Sequence, residues 1–193
     1  MYHGSTVHEL RITYPSWIET VVDWRRRYRT DEEKLDLAIA LSRDNVERER
    51  GGPFGAAVFE VASGALVAVG VNSVVRLRNS ALHAEMLALM MAHHQRQSFT
   101  LAAPALPAHE LVTSCEPCAM CLGATLWSGV MRLVFGARRE DAEALGFDEG
   151  PVFPESYRYL RDRGIEIVGG VRRTEARAVM HQYLSHGGTI YNR

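Results

Sequence analysis

The sequence predicts an α/β sandwich with a mixed central sheet whose later strands are parallel. Three observations support this: a helix and a hairpin come first, helices then alternate with strands, and segments containing glycine or proline separate the elements. A chain of 193 residues suits one domain with a sizeable core and leaves little room for a second. We therefore expect a single domain, which we place at residues 31–193.

Residues 1–30 form a predicted N-terminal extension ahead of this domain. Within it, Ser16–Trp24 is predicted as a short helix with a capping box, in which Ser16 is the N-cap and Glu19 the third helical residue. Its apolar residues indicate packing against the core or against a partner subunit. The first ten residues contain two histidines and a glutamate, so they lack the apolar core of a signal peptide.

The first elements of the domain are a helix and a hairpin. Asp31 is predicted to cap a helix that runs to about Arg48, because apolar residues recur there at helical spacing. Gly51-Gly52-Pro53 ends that helix. Phe54–Ala62 and Ala65–Asn72 are predicted as antiparallel strands joined by a tight turn at Ser63-Gly64. Both strands are almost continuously apolar, so we expect both faces to be covered.

The rest of the chain alternates between helices and strands. Ser73–Leu82 and Gly146–Pro154 are predicted as loops. The further predicted helices are Leu82–Arg96, Cys118–Ser128, Arg139–Leu145, Glu155–Arg163 and Thr174–Ser185. The further predicted strands are Glu110–Ser114, Arg132–Ala137 and Ile165–Val168.

Composition excludes several classes of function. The chain is 47% hydrophobic and 23% charged with a net charge of −1, so it has no basic excess with which to neutralise nucleic-acid phosphates. Its longest apolar runs are far too short to span a bilayer, and we expect a cytoplasmic protein. The three cysteines lie at positions 115, 118 and 121, where no distant partner exists for a stabilising disulfide. Their clustering favours a metal-binding or catalytic role.

Two short motifs together predict a zinc site. His83-Ala84-Glu85 begins one predicted helix, and Pro117-Cys118-Ala119-Met120-Cys121 begins another, which is the H-x-E…P-C-x-x-C pattern of zinc deaminases. One imidazole and two thiolates give zinc three ligands and leave a fourth position for water. Glu85 follows His83 in the same helical turn, where it can transfer protons to and from a substrate.

A closed structural zinc site is the alternative interpretation of the same cysteines. In that case Cys115 would be the fourth ligand, since Cys115, Cys118 and Cys121 are evenly spaced. Cys115 falls at a predicted strand end, so we expect its side chain to point in a different direction. A structural site would also have no use for Glu85. The sequence therefore favours a catalytic site with three protein ligands.

At these residues the chain resembles the cytidine-deaminase-like superfamily of zinc deaminases, and most closely the bacterial guanine deaminases of that fold. The resemblance covers most of the chain from about Asp31. Its motifs are Gly51-Gly52-Pro53-Phe54, Asn72, His83-Ala84-Glu85, Glu116-Pro117-Cys118, Cys121, Trp127-Ser128-Gly129-Val130, Gly146-Phe147-Asp148-Glu149-Gly150-Pro151 and Ile190-Tyr191-Asn192. The superfamily implies an α/β/α sandwich with a five-stranded sheet and one zinc ion per subunit.

The resemblance to guanine deaminases also implies roles for individual residues. Glu149 would be a second active-site acid that binds the base and assists loss of its amine, and without the resemblance it would be one acid in a solvated loop. Asn72 would hydrogen-bond the purine. The other implied substrate-binding residues are Phe54, Ala84, Phe147 and Asp148. The resembled enzymes imply a homodimer whose exchanged C-terminal segments close the active sites, the only arrangement in which we expect Tyr191 to reach a pocket.

The expected activity is zinc-dependent hydrolysis of guanine to xanthine and ammonia, which belongs to purine catabolism. Alternatives within the fold are deamination of a nucleoside of the guanosine or cytidine type, or of an amino-triazine that resembles guanine. A tRNA adenosine deaminase would share the zinc motif but should have a basic surface. The non-enzymatic alternative is a zinc-stabilised binding protein, against which the intact Glu85 argues.

Overall fold

The structure is a computed structural model that describes residues 10–192. The first nine residues of the predicted extension and Arg193 lie outside the described residues. The strands are β1 Gly55–Glu60, β2 Leu66–Val71, β3 His109–Cys115, β4 Arg132–Ala137 and β5 Glu166–Gly169. The helices are α1 Ile18–Val21, α2 Asp31–Glu49, α3 Val74–Leu77, α4 Ala84–Arg96, α5 Ala119–Ser128, α6 Arg139–Glu143, α7 Pro154–Asp162 and α8 Arg173–Ser185.

The sheet has five strands in the order β2-β1-β3-β4-β5. β1 pairs antiparallel with β2 and with β3, whereas β3 with β4 and β4 with β5 are parallel pairs. The hairpin produces the antiparallel half, and the helical crossovers that follow β3 and β4 produce the parallel half. The predicted mixed sheet with parallel later strands is therefore confirmed.

Helices cover both faces of this sheet. On one face α2 and α8 contact each other and the strands, and Leu41 and Phe59 belong to that apolar layer. On the other face α4 packs across β1 and β2 beside α5, where Val58 and Leu89 are buried. Adjacent residues Val58 and Phe59 thus face opposite layers, as the alternation of side chains along a strand requires. The predicted α/β/α sandwich is confirmed.

The predicted helix Ser16–Trp24 is wrong in length and in its cap. Only one turn, α1, forms, and its N-cap is Trp17 without a side-chain cap bond. The chain beyond α1 leaves the helix to run beside the hairpin, where the Tyr28 N–H donates to the Gly64 carbonyl over 2.9 Å. Tertiary contacts at this edge override the local capping signal.

Most other element boundaries agree with the predictions within two residues. The cap of α2 is Thr30 rather than Asp31: its hydroxyl accepts from the Glu33 N–H, and the Glu33 carboxylate accepts from the Thr30 N–H in return. The one-turn helix α3 was predicted as loop. Among residues 10–192, no helix is both long and apolar enough to cross a membrane.

Candidate active site

Two helix N-termini hold the predicted zinc ligands. His83 is the N-cap of α4 and Cys118 the N-cap of α5, both with extended backbone angles that turn their side chains toward one point. The Nδ1 atom of His83 lies 3.5 Å from the Sγ of Cys118 and 3.6 Å from the Sγ of Cys121. All three ligand atoms lie within 4.8 Å of one another. The two motifs therefore meet as predicted.

The residues of this cluster suit a zinc ion. Two sulfurs and one imidazole nitrogen at these separations match a tetrahedral site with one position left for a small molecule. A hydrogen bond from Cys121 and the neighbouring His83 lower the pKa of Cys118 to about 4, so Cys118 is a thiolate at neutral pH. The hydrogen bond to Cys118 and burial raise the pKa of Cys121 well above its usual value, so the two sulfurs share one proton. Zinc binds thiolates and a neutral imidazole, so binding of the ion would release that proton.

Cys115 does not join the ligand cluster in the described part of the chain. It ends β3, and its Sγ lies 3.9 Å from the carbonyl oxygen of Arg138. Burial, together with nearby carboxylates, raises the pKa of this thiol well above its usual value, so it is a neutral thiol. The structure therefore supports a site with three protein ligands rather than a closed site with four.

Two buried glutamates flank the cluster. Glu85 in the first turn of α4 and Glu149 in the loop before α7 are each 6% exposed. Within residues 10–192 neither forms an ion pair with Lys, Arg or His. Burial is the largest cause that raises the pKa of each carboxyl group. For Glu149, burial and the negative charges of Cys118 and Glu85 raise the pKa to about 8. Glu149 can therefore hold a proton near neutral pH, as a general acid requires, and the pKa of Glu85 is shifted in the same direction.

A pocket lies beside the cluster, and Asn72 contributes its polar wall. The Asn72 side chain is 1% exposed, and its Oδ1 accepts from the Val74 N–H over 3.4 Å. Its Nδ2 is buried and has no hydrogen-bond partner within residues 10–192. A buried unpaired donor that lines a pocket is suited to bind an acceptor atom of a ligand.

Aromatic side chains form the opposite, apolar part of the site. Phe54 lines the pocket and meets Phe147 edge to face, with ring centroids 5.2 Å apart. Phe147 is 3% exposed and also contacts Tyr191 with a centroid distance of 5.4 Å. The structure thus brings predicted Phe54 into the pocket and puts Phe147 behind it, as support for the rings that line it.

Ala84 and Asp148 lie outside this inner pocket. Ala84 is fully buried as the first residue of α4. Asp148 is exposed and borders a wider outer cavity of about 350 Å³, which also includes Ser80 and Met120. Its side chain accepts from the Gly150 N–H over 2.8 Å, so it shapes the loop that carries Glu149.

The C-terminal tail closes the site of its own chain. Tyr191 lies against His83 with ring centroids 6.3 Å apart and lines the pocket. Backbone and side-chain bonds tie Asn192 to Asp148: the Asp148 N–H donates to the Asn192 carbonyl over 3.0 Å, and Asn192 Nδ2 donates to the Asp148 carbonyl over 2.6 Å. Tyr191 thus lines the pocket within the single chain, and exchange of the C-terminal segments between subunits stays a prediction.

Four pocket residues were not assigned a site role from the sequence. They are Cys115, Glu116, Tyr191 and Asn192. Glu116 could have been suspected from its place beside the zinc motif, and its carboxylate accepts from the Arg139 N–H over 3.1 Å. Tyr191 and Asn192 belong to the C-terminal motif of the resemblance, but nothing local in the sequence placed them beside His83, because only the fold brings the end of the chain to α4.

Comparison with known proteins agrees with this geometry. Residues 28–137 match the family described as the cytidine and deoxycytidylate deaminase zinc-binding region. The guanine deaminase of Bacillus subtilis is 36% identical over 131 residues, which cover 68% of this chain and 80% of the relative.

Two solved structures are similar over nearly the whole chain. The guanine deaminase from Nitrosomonas europaea has a TM-score of 0.89 and 43% identity, over 94% of this chain and 100% of that one. A structure in complex with 2,6-diaminopurine has a TM-score of 0.88 and 44% identity, over 94% of this chain and 96% of that one. The chain belongs to the cytidine and deoxycytidylate deaminase zinc-binding family, whose zinc ligands it holds in His83, Cys118 and Cys121.

Proposed function

We propose that this protein hydrolyses guanine to xanthine and ammonia. The observation that carries the proposal is Glu149, a second buried acid beside the zinc ligands and Glu85. The similarity to guanine deaminases over most of the chain supports the choice of base.

His83, Cys118 and Cys121 would hold one zinc ion per subunit. Bound by three protein ligands, the ion would act as a Lewis acid and lower the pKa of water toward ~7. The chain itself supplies the proton transfers and the orientation of the base. Glu85 accepts the proton that the attacking water loses as it adds to C2 of guanine, and delivers it to a ring nitrogen.

Glu149 binds the base and assists loss of its amine. A carboxyl group whose pKa burial raises to about 8 is protonated near neutral pH, so it can donate a proton to the departing nitrogen. Addition of water and departure of ammonia at C2 leave the oxygen on the ring, which is xanthine. This role requires only a proton transfer, and glutamine at position 149 would abolish it while retaining the shape of the side chain.

The pocket orients a flat heterocycle between polar and aromatic walls. Asn72 Nδ2 donates to an acceptor of the purine, while Phe54 packs against its face and Phe147 supports Phe54. Ala84 contributes backbone at the start of α4, and Asp148 holds the Glu149 loop. Tyr191 in the C-terminal tail also lines this pocket and contributes to its aromatic wall.

The decisive test is ammonia release by the purified, zinc-loaded protein. Guanine, guanosine, cytosine, cytidine and adenine are compared at equal concentrations. We expect guanine to have the highest kcat/KM. Faster turnover of guanosine or cytidine would contradict the proposal in favour of a nucleoside deaminase. No ammonia from any of the five would favour a zinc-stabilised binding protein.

We propose further that the protein is a homodimer. Trp127 is 76% exposed on α5, so it is not a core residue, and the nearby Phe99 is 92% exposed. With Met86 and Met90 they border an apolar groove that a second copy of this chain would cover. The mass in solution tests this: a Trp127→Arg variant should be a monomer, and a monomeric wild type would contradict the proposal.

Cytoplasmic location and a role in purine catabolism complete the proposal. The need for thiolates at Cys118 and Cys121 supports a reducing compartment, because oxidation would remove two zinc ligands. Xanthine is the oxidised purine that degradative reactions consume, so the product supports a catabolic role. We also propose exchange of the C-terminal segments between subunits, because the tail that carries Tyr191 is the segment that lines the pocket.

A further inference from the structure

A buried asparagine of α2 connects the two loops that form the base pocket. Asn45 is 1% exposed, and its Nδ2 donates to the Gly52 carbonyl over 2.9 Å and to the Asn72 carbonyl over 3.0 Å. Two carbonyl acceptors require the amide nitrogen at this position, so the orientation of the side chain is chemically determined. One side chain therefore joins the loop before β1 to the loop after β2.

Both loops carry residues that face the pocket. The Gly52 loop leads directly into Phe54, and a Cβ atom on Gly52 would lie 2.9 Å from the Oδ1 of Asn72 and closer still to the Tyr191 hydroxyl. This close approach puts the Gly52 loop, Asn72 and the C-terminal tail in contact. A shift of one loop would therefore move the others.

Asn72 is held at several points and has one free donor. Its N–H donates to the Phe54 carbonyl over 3.0 Å, its carbonyl accepts from Asn45, and its Oδ1 accepts from the Val74 N–H. These bonds fix the Asn72 backbone and the oxygen end of its side-chain amide. They thereby direct the Nδ2 atom, which is buried and has no hydrogen-bond partner in the described residues, into the pocket. Among these bonds, only the one from Asn45 comes from a distant helix.

The end of α2 is shaped around the same residue. The Asn45 carbonyl accepts from the N–H of Gly51 over 3.0 Å, and any side chain at Gly51 would collide with the Asn45 amide. Helix end, glycine loop and side-chain amide thus form one packed unit. A buried amide could be satisfied by acceptors in a single loop, but the Asn45 Nδ2 group donates its two hydrogens to two different loops.

We propose that Asn45 is a positioning residue that aims Asn72 at the base. This inference rests on the proposed function, in which Asn72 binds the purine. Asn45 does not touch the substrate, and it acts by holding the Gly52 and Asn72 loops at the separation that the base requires. Its loss should weaken binding of the base and leave the zinc ligands and the proton transfers unaffected.

The test compares Asn45→Ala and Asn45→Ser with the control Val46→Ala. Val46 is the next residue of α2 and is buried in the apolar core, but its side chain forms no hydrogen bond. For Asn45→Ala we expect KM to rise about tenfold. That is the effect of losing about one hydrogen bond between Asn72 and the base, because Asn72 would no longer be held in position. We expect kcat to change less than about threefold, with zinc content unchanged. Val46→Ala should lower the unfolding temperature and leave KM unchanged.

A double variant separates positioning from general destabilisation. Asn45→Ala combined with Asn72→Ala should have the KM of Asn72→Ala alone, because both changes remove the same contact to the base. The proposal is overturned if the two effects on KM multiply, or if Asn45→Ala and Asn45→Ser leave KM as low as Val46→Ala does. If Asn45→Ala does not fold, Asn45→Ser, which keeps a small polar group, decides between these outcomes.

Binding of guanine is measured in parallel by titration calorimetry in the Glu85→Gln background, because an active protein would hydrolyse the base during the titration. If Glu85→Gln binds guanine but the wild type releases no ammonia, the proposed function is contradicted, while the dissociation constants still decide the role of Asn45. We expect a dissociation constant about tenfold higher when Asn45→Ala is added to Glu85→Gln. Equal dissociation constants in the two proteins, or no binding by Glu85→Gln, would contradict the positioning role.

Discussion

The two ends of β3 each bury glutamate, and the comparison separates a structural acid from a reactive one. At the start of the strand Glu110 is fully buried, and it pairs with Lys34 Nζ over 2.6 Å and Arg132 Nη1 over 2.8 Å. Beyond the other end of the strand Glu85 and Glu149 flank the zinc ligands without an ion pair in the described residues.

Partners, rather than burial, decide what these acids can do. Two cations compensate the Glu110 carboxylate, which serves as a junction between β3, α2 and β4. Glu85 and Glu149 have no such ion pair in the described residues, and burial raises the pKa values of both carboxyl groups, that of Glu149 to about 8. Changes at the zinc end should therefore affect rate, and changes at the other end should affect stability.

Glu85→Gln should give the largest effect. Glutamine keeps the size of the side chain but cannot accept a proton, so we expect kcat to fall by about 10⁴-fold, the upper range for loss of a general acid–base. Zinc content, measured by elemental analysis, should stay at one ion per subunit. Activity within about tenfold of wild type would show that another group transfers the proton.

Lys34→Met tests the other end of the strand. It leaves a buried carboxylate with one partner, so we expect the free energy of unfolding to fall by about 3 kcal/mol in urea denaturation. The rate of ammonia release at a temperature where the protein is folded should not change. Adding Glu110→Gln should restore part of the stability, and a loss of rate in Lys34→Met would break the distinction between the two ends.

Glu149→Gln should reduce kcat by about 10²-fold, less than Glu85→Gln, because it removes assistance at one step only. Zinc binding should be retained, since Glu149 is not among the three ligands. The measurement is steady-state ammonia release with guanine. Unchanged turnover would refute the role of Glu149 and with it the main argument for guanine as the base.

Asp31→Asn should give the smallest effect, and one that depends on pH. Hydrogen bonds from Arg132 at 2.7 Å lower the pKa of Asp31, so this carboxylate stabilises the fold at pH above about 4, the usual pKa of aspartate. That contribution is lost as pH falls through the lowered pKa. At pH 7 we expect a cost of about 1 kcal/mol in the free energy of unfolding, because the pair is partly exposed.

The same pair of proteins compared by urea denaturation near pH 3 provides the check. The stability difference between wild type and Asp31→Asn should begin to shrink there, because the aspartate of the unfolded chain takes up a proton below its usual pKa of about 4 while the folded carboxylate still resists protonation. A difference that stays constant between pH 7 and pH 3 would show that the Arg132 pair does not contribute through its charge.

Sequence patterns predicted the fold where local signals and tertiary contacts agree. Apolar periodicity located α4 and the strands, and Gly51-Gly52-Pro53 marked the end of α2 correctly. The Ser16 capping box failed because residues after α1 pair with the hairpin instead of continuing a helix. A local cap contributes only about 1 kcal/mol, which burial of nearby Trp17 and Ile18 exceeds.

By itself the sequence determined the ligands His83, Cys118 and Cys121 and the alternation of elements that yields a mixed sheet, and it predicted Glu85 as the acid of the proposed reaction. The two zinc motifs are local features, because each occupies one helical turn. Only the tertiary structure decided which distant residues surround that chemistry. Tyr191 reaches His83, and Asn45 joins Gly52 to Asn72, through contacts that no spacing in the chain encodes, since they depend on how helices pack across the sheet.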